Sequence, residues 1–428
     1  MKNRDTKIQS IMTGYRRGFL SRREALRALG AVGLAVGAAP LLDFAALADE
    51  AGKQAGPGGI PLARPNKPVT LPLHGSPIKS GLAQEKGKLQ LFNYQDYVDP
   101  KVLESFGKKY NTEVVLTTFD SMDEAITRLA SGTVKVDVTN ISPDRVAQAV
   151  AGKLLKPLNH DYTPNLPKNI WKSLQNPYYD QGSQYTVPYS TYSSGIGWRN
   201  DKMTDDVYKM DNPWSIFWKA AKYKGYVGIL DDTRESLGMA LRYRGETDIN
   251  TEDPTLITRA LDDLKATVEI CSPKINITGY QSLADSSCYL HEEWSGDMLS
   301  CAFFYMPEGS DKSVLQYWTP AKEKRNVQND CWAVIEKSER PVLAHLFLNH
   351  LIDEEVATGN FLNFNGYQPP QANLDTDKLI ADGTIPAGLK MCILKEADFD
   401  GESSQYGALT PNGQKLWQNA YAEFNSGG

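Results

Sequence analysis

The chain has 428 residues, a formal net charge of −6, 23% charged and 41% hydrophobic residues, five histidines and five cysteines. That length exceeds what one small core organises, so two lobes are expected. The acidic balance argues against a nucleic-acid partner and suits cationic solutes.

The N-terminus carries two adjacent arginines, Arg22 and Arg23, directly before an apolar run from Ala28 to Leu42 that leads to Ala46-Leu47-Ala48. A basic region, an apolar region and a small-residue site in that order read as a secretory signal over residues 1–48. The paired arginines, with Leu26 and Arg27 following, resemble the bacterial twin-arginine export signal, which implies the periplasm. The apolar run is too short to span a bilayer and is interrupted by Gly30, Gly33 and Gly37. No cysteine stands at the cleavage pattern, so no lipid anchor is expected. Removing residues 1–48 lowers Lys+Arg from 46 to 38 and Asp+Glu from 52 to 49, which leaves a mature net charge of −11.

Residues 49–87 hold six recurrent prolines among Gly, Lys and Ala and read as an extended linker, with order expected from Lys88. Strands are then expected at 89–94, 114–119 and from Val136. They alternate with helices at Pro100 to Tyr110, Asp123 to Ala130 and Pro143 to Gly152. Such alternation means an α/β lobe with a largely parallel sheet. The polar stretch from Pro188 to Gly197 joins two β-like pieces and suits a crossing between lobes. Trp214 to Lys222 reads as helical, Tyr226 to Leu230 as a strand, and a helix follows from Ser236. Further helices are expected at Pro254–Val268, Pro341–Leu351 and Pro411–Phe424. Asp96, Ser142, Asp232 and Glu235 all fall just after expected strands, where an α/β sheet presents its ligand crevice.

Catalytic signatures are absent: no nucleophile elbow, P-loop, HExxH pair or dinucleotide fingerprint occurs. The histidines are scattered, and His345 and His350 would fall on different helix faces. The five cysteines (Cys271, Cys288, Cys301, Cys331, Cys392) are odd in number and lack metal-binding spacing, so they read as buried small hydrophobes with room for a bridge. No cofactor and no metal are expected, and the chain does not read as an enzyme. Asp232 and Glu235 as a glycosidase carboxylate pair is the enzymatic alternative.

Six segments in order carry a family resemblance: Leu91 to Val98, Val136-Asp137-Val138 with Ser142, Asp231-Asp232-Thr233-Arg234-Glu235, Trp294-Ser295-Gly296-Asp297, Asn329-Asp330, and Gly366-Tyr367-Gln368-Pro369. Together they resemble the periplasmic spermidine/putrescine-binding proteins of bacterial ABC importers. The resemblance implies a two-lobed α/β periplasmic binding protein of type II, each lobe a mixed, mostly parallel sheet flanked by helices. It implies lobe 1 at 88–193 plus 329–375 and lobe 2 at 197–322 plus 381–428, with hinge crossings near 192–197, 322–329 and 375–381. It also implies a monomer that captures a small cationic, polyamine-like ligand by cleft closure and delivers it to an inner-membrane permease.

On that resemblance, Asp232, Glu235 and Asp330 hold ammonium groups as charge-assisted pairs. Trp294 and Tyr367 cover the methylenes. Tyr94, Gln95, Asp96, Ser142 and Asp144 line the cleft from lobe 1. Asp232 and Glu235 also read as helix N-terminal acids, Trp294 as core and Asp330 as a turn cap. The sequence departs from the family in having Tyr94 for a Trp, Gln328 for an aromatic two residues before Asp330, and an acid at Asp144. A different solute in the same fold is therefore open, including ferric iron held by the adjacent phenols Tyr178 and Tyr179.

Overall fold

The computed structural model describes residues 55–427 except Glu402. Strand β1 (Leu89–Asn93) lies between β2 (Val114–Thr118) and β3 (Val138–Ile141), parallel to both. Buried on two faces, it alternates its contacts: Leu89 and Leu91 enter one core and Phe92 the opposite one. Helix α1 (Pro100–Tyr110) starts on a Pro with Asp99 as its cap, turns Val102 and Phe106 inward, and ends on Asn111 in the left-handed conformation. Helices α2 (Met122–Ala130) and α3 (Pro143–Ala151) complete the expected alternation.

Strand β4 (Thr186–Arg199) is one continuous 14-residue strand where two pieces were expected. Through Ser193 it pairs antiparallel with β9 (Val327–Val334), and β9 pairs with β3, giving lobe 1 the order β2-β1-β3-β9-β4. From Ser194 onward β4 pairs with β7 (Leu290–Trp294) on one side and β8 (Leu315–Trp318) on the other. Beyond β7 lie the parallel strands β5 (Val227–Leu230) and β6 (Lys274–Asn276). One strand thus runs through both parts of the sheet and changes partners between Ser193 and Ser194. Pro188, which cannot donate to the ladder, sits at a register shift. Gly195 is required where β8 closes on it, because a Cβ there would lie 2.3 Å from the Trp318 carbonyl oxygen. The expected parallel character holds for β1–β3 and β5–β7, whereas the strands around the crossing, β4, β8 and β9, run antiparallel to their neighbours.

Lobe 2 packs α4 (Thr233–Tyr243), α5 (Pro254–Cys271) and the C-terminal helix Pro411–Gly427 over β4, β5 and β7, around Trp198, Phe217, Leu264 and Trp417. Its other face is closed by α6 (Ser295–Ser300) and by Leu315, Tyr317, Leu389 and Cys392. Helix α7 (Pro341–Leu351) covers lobe 1 with Leu343, Phe347 and Leu348. All five cysteines are buried and unbridged. The segment expected to be helical at Trp214 is a 3-10 helix, Pro213–Tyr223.

Two expectations about the chain's ends are corrected. Residues 57–87 carry little regular structure, as their prolines require, but they are not a free linker. Ile60, Ala63, Val69 and Leu71 are buried in lobe 1's core with Phe119, Val146 and Tyr178. The apolar residues of this segment occur without a period, so no pattern flags them. The segment after 381 is not confined to lobe 2 either: Leu394 and Phe399 pack in lobe 1, as does Ala408, before Leu409 enters lobe 2. The signal and its paired arginines lie outside the described residues.

Candidate ligand-binding site

Burial, and then the nearby charges of Asp330 on β9, Asp232 after β5 and Asp144 after β3, push up the phenol of Tyr94, just after β1. Asp330 sits on β9, opposite Ser190 of β4, and is buried. It accepts hydrogen bonds from the hydroxyls of Tyr97 (2.7 Å) and Tyr192 (3.4 Å). Burial pushes its carboxyl up to about 6, against the lowering effect of those two phenols. On the lobe 2 side, Glu235 is 3% exposed and accepts from Ser194 Oγ (2.8 Å), Trp294 Nε1 (2.9 Å) and Tyr406 Oη (3.2 Å).

A row of aromatic rings in edge-to-face contact passes Asp330 and ends at Trp294, the partner of Glu235. Tyr94 meets Tyr97 at 6.1 Å, Tyr97 meets Tyr367 at 5.1 Å, Tyr367 meets Tyr192 at 5.7 Å, and Tyr192 meets Trp294 at 6.2 Å. Tyr94 also packs on Phe119 at 4.5 Å. Behind Tyr367, burial raises the Asp297 carboxyl to about 7, while hydrogen bonds to Tyr367 and Glu293 oppose that rise.

Asp232 caps α4, its Oδ1 accepting from the backbone N–H of Arg234 (2.8 Å) and Glu235 (3.0 Å). The capping role read as an alternative is therefore real. Its carboxyl is nonetheless pushed up to about 7, first by burial and then by Glu235, so it remains part of the acidic cluster. Asp144, in the first turn of α3, accepts from Ser142 Oγ at 2.5 Å. Its other oxygen lies 3.3 Å from Arg145 Nε and 3.8 Å from Nη1 of Arg234, which belongs to lobe 2. Gln95 and Asp96 stand apart: both are exposed, Gln95 donates to Asp96 at 2.8 Å, and Asp96 adopts a positive φ of 55°.

Eight of the ten expected side chains are thus brought together, and Gln95 and Asp96 are left on the exposed rim. Tyr97, expected just after the first strand, joins the site, as do Tyr192, Asp297 and Tyr406, which were not singled out. Tyr97 and Asp297 lie inside the quoted motifs. Tyr192 is the cross-strand partner of Gln328, so the aromatic lacking at 328 is supplied from the neighbouring strand. Nothing in the local sequence marks Tyr406, which arrives from the C-terminal segment. The phenols Tyr178 and Tyr179 are buried in lobe 1, bonded to the Tyr406 carbonyl and to Cys331 and Asn329. Among the described residues no group of three or more His, Cys, Asp or Glu is placed to hold a metal.

Comparison with known proteins agrees with this architecture. The putrescine-binding periplasmic protein SpuD of Pseudomonas aeruginosa is 27% identical over 67% of this chain and 80% of its own length. The spermidine/putrescine-binding periplasmic protein of Escherichia coli is 26% identical over 70% of this chain and 81% of its own. The fold matches that of the spermidine/putrescine ABC transporter substrate-binding protein PotD of Streptococcus pneumoniae, with a TM-score of 0.62 and 20% identity. That match covers 80% of this chain and 99% of the other. Residues 101–387, about two thirds of the sequence, match the profile of bacterial extracellular solute-binding proteins, and this chain belongs to that family.

Proposed function

We propose that this protein is the exported receptor of an ABC importer and that its ligand is a small polyamine, held between the lobes. The observation that carries this reading is the aromatic row from Tyr94 to Trp294, with Asp232 near its Tyr94 end, Asp330 bonded to Tyr97 and Tyr192 along it, and Glu235 bonded to Trp294 at the other end. A polyamine is a string of ammonium groups separated by methylenes. It matches carboxylates set apart by ring faces and edges. The polyamine names of the related proteins point the same way.

In this reading the lobes close about crossings near 192–197, 322–329 and 375–381, and a membrane permease recognises the closed form. No bond is made or broken in this reading, and the chain carries no nucleophile elbow, P-loop or HExxH pair. The chain acts as a monomer with no nucleic-acid partner, delivered to the periplasm through the paired arginines. Melting curves with putrescine, cadaverine, spermidine, amino acids, neutral sugars and ferric citrate test the ligand class. Amines are expected to give the largest rise, because a ligand that binds only the folded state stabilises it by mass action. A rise with sugars or ferric citrate and none with amines overturns the assignment.

A further inference from the structure

We propose that residues 57–72 form a strap that positions the ligand site from outside the matched family region, with Arg64 as its positioning residue. This deepens the reading above and rests on it for the identity of the probe. The strap precedes residue 101, where the family match begins. It is fastened to lobe 1 by backbone bonds from Val69 N to the Tyr178 carbonyl (2.8 Å) and from Gln181 N to the Val69 carbonyl (3.1 Å). Further on, Gln184 and Tyr185 donate to the carbonyls of Leu71 and Pro72 at 3.0 and 2.7 Å. Four of its side chains are buried in lobe 1's core.

The strap's other contact is with the point where the chain passes from lobe 1 to lobe 2. Arg64 Nη1 donates to the Ala408 carbonyl at 2.9 Å. Ala408 packs in lobe 1 and Leu409 in lobe 2. Gly407 is moulded to the strap: a Cβ there would lie 2.5 Å from Arg64 Nη1 and 2.9 Å from the Ala63 carbonyl oxygen. Gly407 and its neighbour Tyr406 grip the site helix from the other side. Arg234 Nη1 donates to the Gly407 carbonyl (3.2 Å), and Tyr406 Oη donates to the Arg234 carbonyl (2.8 Å) and contacts Glu235 Oε2 (3.2 Å). Tyr178, already tied to the strap, donates to the Tyr406 carbonyl at 3.1 Å. Residues 406–408 are therefore a buckle, held by the strap on one side and holding Arg234 and Glu235 on the other. A strap that fixes the buckle fixes where Glu235 meets the ligand.

Arg64→Ala removes the strap's contact, and Gly407→Ala pushes the strap away from the opposite side, so the two variants converge on one effect by different routes. Putrescine is the probe, followed by calorimetry and stopped-flow fluorescence of the full mature chain. Both variants are expected to weaken putrescine binding roughly threefold to tenfold, the range for a residue acting through others, chiefly through faster dissociation. Arg64→Lys, which keeps a donor, is expected to restore most of it. Hydrogen exchange of the ligand-free variants is expected to quicken at 404–410 and at 232–242. A merely structural role would lower the melting temperature without localised exchange or a change in dissociation. Unaltered exchange at those segments, or altered exchange with parental putrescine binding, overturns the proposal. If the parent chain does not bind putrescine, the ligand assignment falls, and the exchange comparison alone decides the strap.

Discussion

Asp330 and Glu235 are each buried and each surrounded by donors, yet they do different work. Asp330 takes two phenol hydroxyls, both from aromatic residues of the row, and so couples the charge of the site to the orientation of its walls. Glu235 anchors the Trp294 indole and ties it to Tyr406. Asp330→Asn and Glu235→Gln keep shape and remove one charge. Losing a charged partner of a buried pair costs about 2–5 kcal/mol, so amine affinity is expected to fall at least about tenfold in each. Calorimetric titration with putrescine checks this, and two variants that bind like the parent would remove the site. Asp330 and Glu235 were legible because they stand in motifs. Tyr192 and Tyr406 were not, because a cross-strand pair and a returning C-terminal segment bring together residues that are distant in sequence. Asp144 was legible as a departure; of the two arginines that offset its charge, Arg145 follows it in α3, whereas Arg234 depends on the meeting of α3 with α4.

Helix α4 joins a capped start to two charged side chains at the meeting of the lobes. Its cap, Asp232, satisfies two orphan backbone donors, and its first turn delivers Arg234 to the lobe interface and Glu235 to the site. Helix α3 meets it from lobe 1 through Asp144, whose side chain is 9% exposed against 6% for Arg234. The Asp144–Arg234 contact joins the lobes, so it favours the closed arrangement. Asp144→Asn is expected to speed putrescine dissociation while leaving association within about threefold, since closure governs residence more than encounter. Equal loss in both rates would instead place Asp144 among the groups that attract the ligand. A double-mutant cycle with Arg234→Gln measures the coupling, which vanishes if the two residues act independently. Helices with proline starts, such as Pro100–Tyr110 and Pro341–Leu351, match their expected limits because proline at the first turn fixes where a helix begins. Strand β4 was read as two pieces because its Ser, Thr and Gly residues look like a loop; its pairing with β9, β7 and β8 overrides that composition.

For the whole molecule, the excess of acids between the lobes sets a pH dependence whose sign is fixed. Burial raises Asp330 to about 6 and Asp232 to about 7 in the ligand-free protein, both above the ordinary value of 3.8. Between about pH 4 and pH 7 the folded chain therefore holds protons that the unfolded chain has released. By linkage, the contribution of these groups to stability is present at low pH and is lost as pH rises through their folded values. A dicationic ligand reverses that preference, because it stabilises the ionised carboxylates and lowers both values. Binding is thus expected to release protons near pH 6, up to about 1.4 per ligand because Asp330 is then about half and Asp232 about nine-tenths protonated, and almost none above pH 8. Putrescine affinity is expected to fall at least about tenfold from pH 8 to pH 5, and the ligand-induced rise in melting temperature to shrink with it. Titration at pH 6 in two buffers of different ionisation enthalpy counts the protons directly. Asp330→Asn should then release about half a proton fewer than the parent at pH 6, where that carboxyl is half protonated, which ties the effect to that carboxylate and separates it from any general acid weakening of the fold. Affinity that stays constant between pH 5 and 8, or proton release unchanged in Asp330→Asn, would mean that the buried acids do not face the ligand.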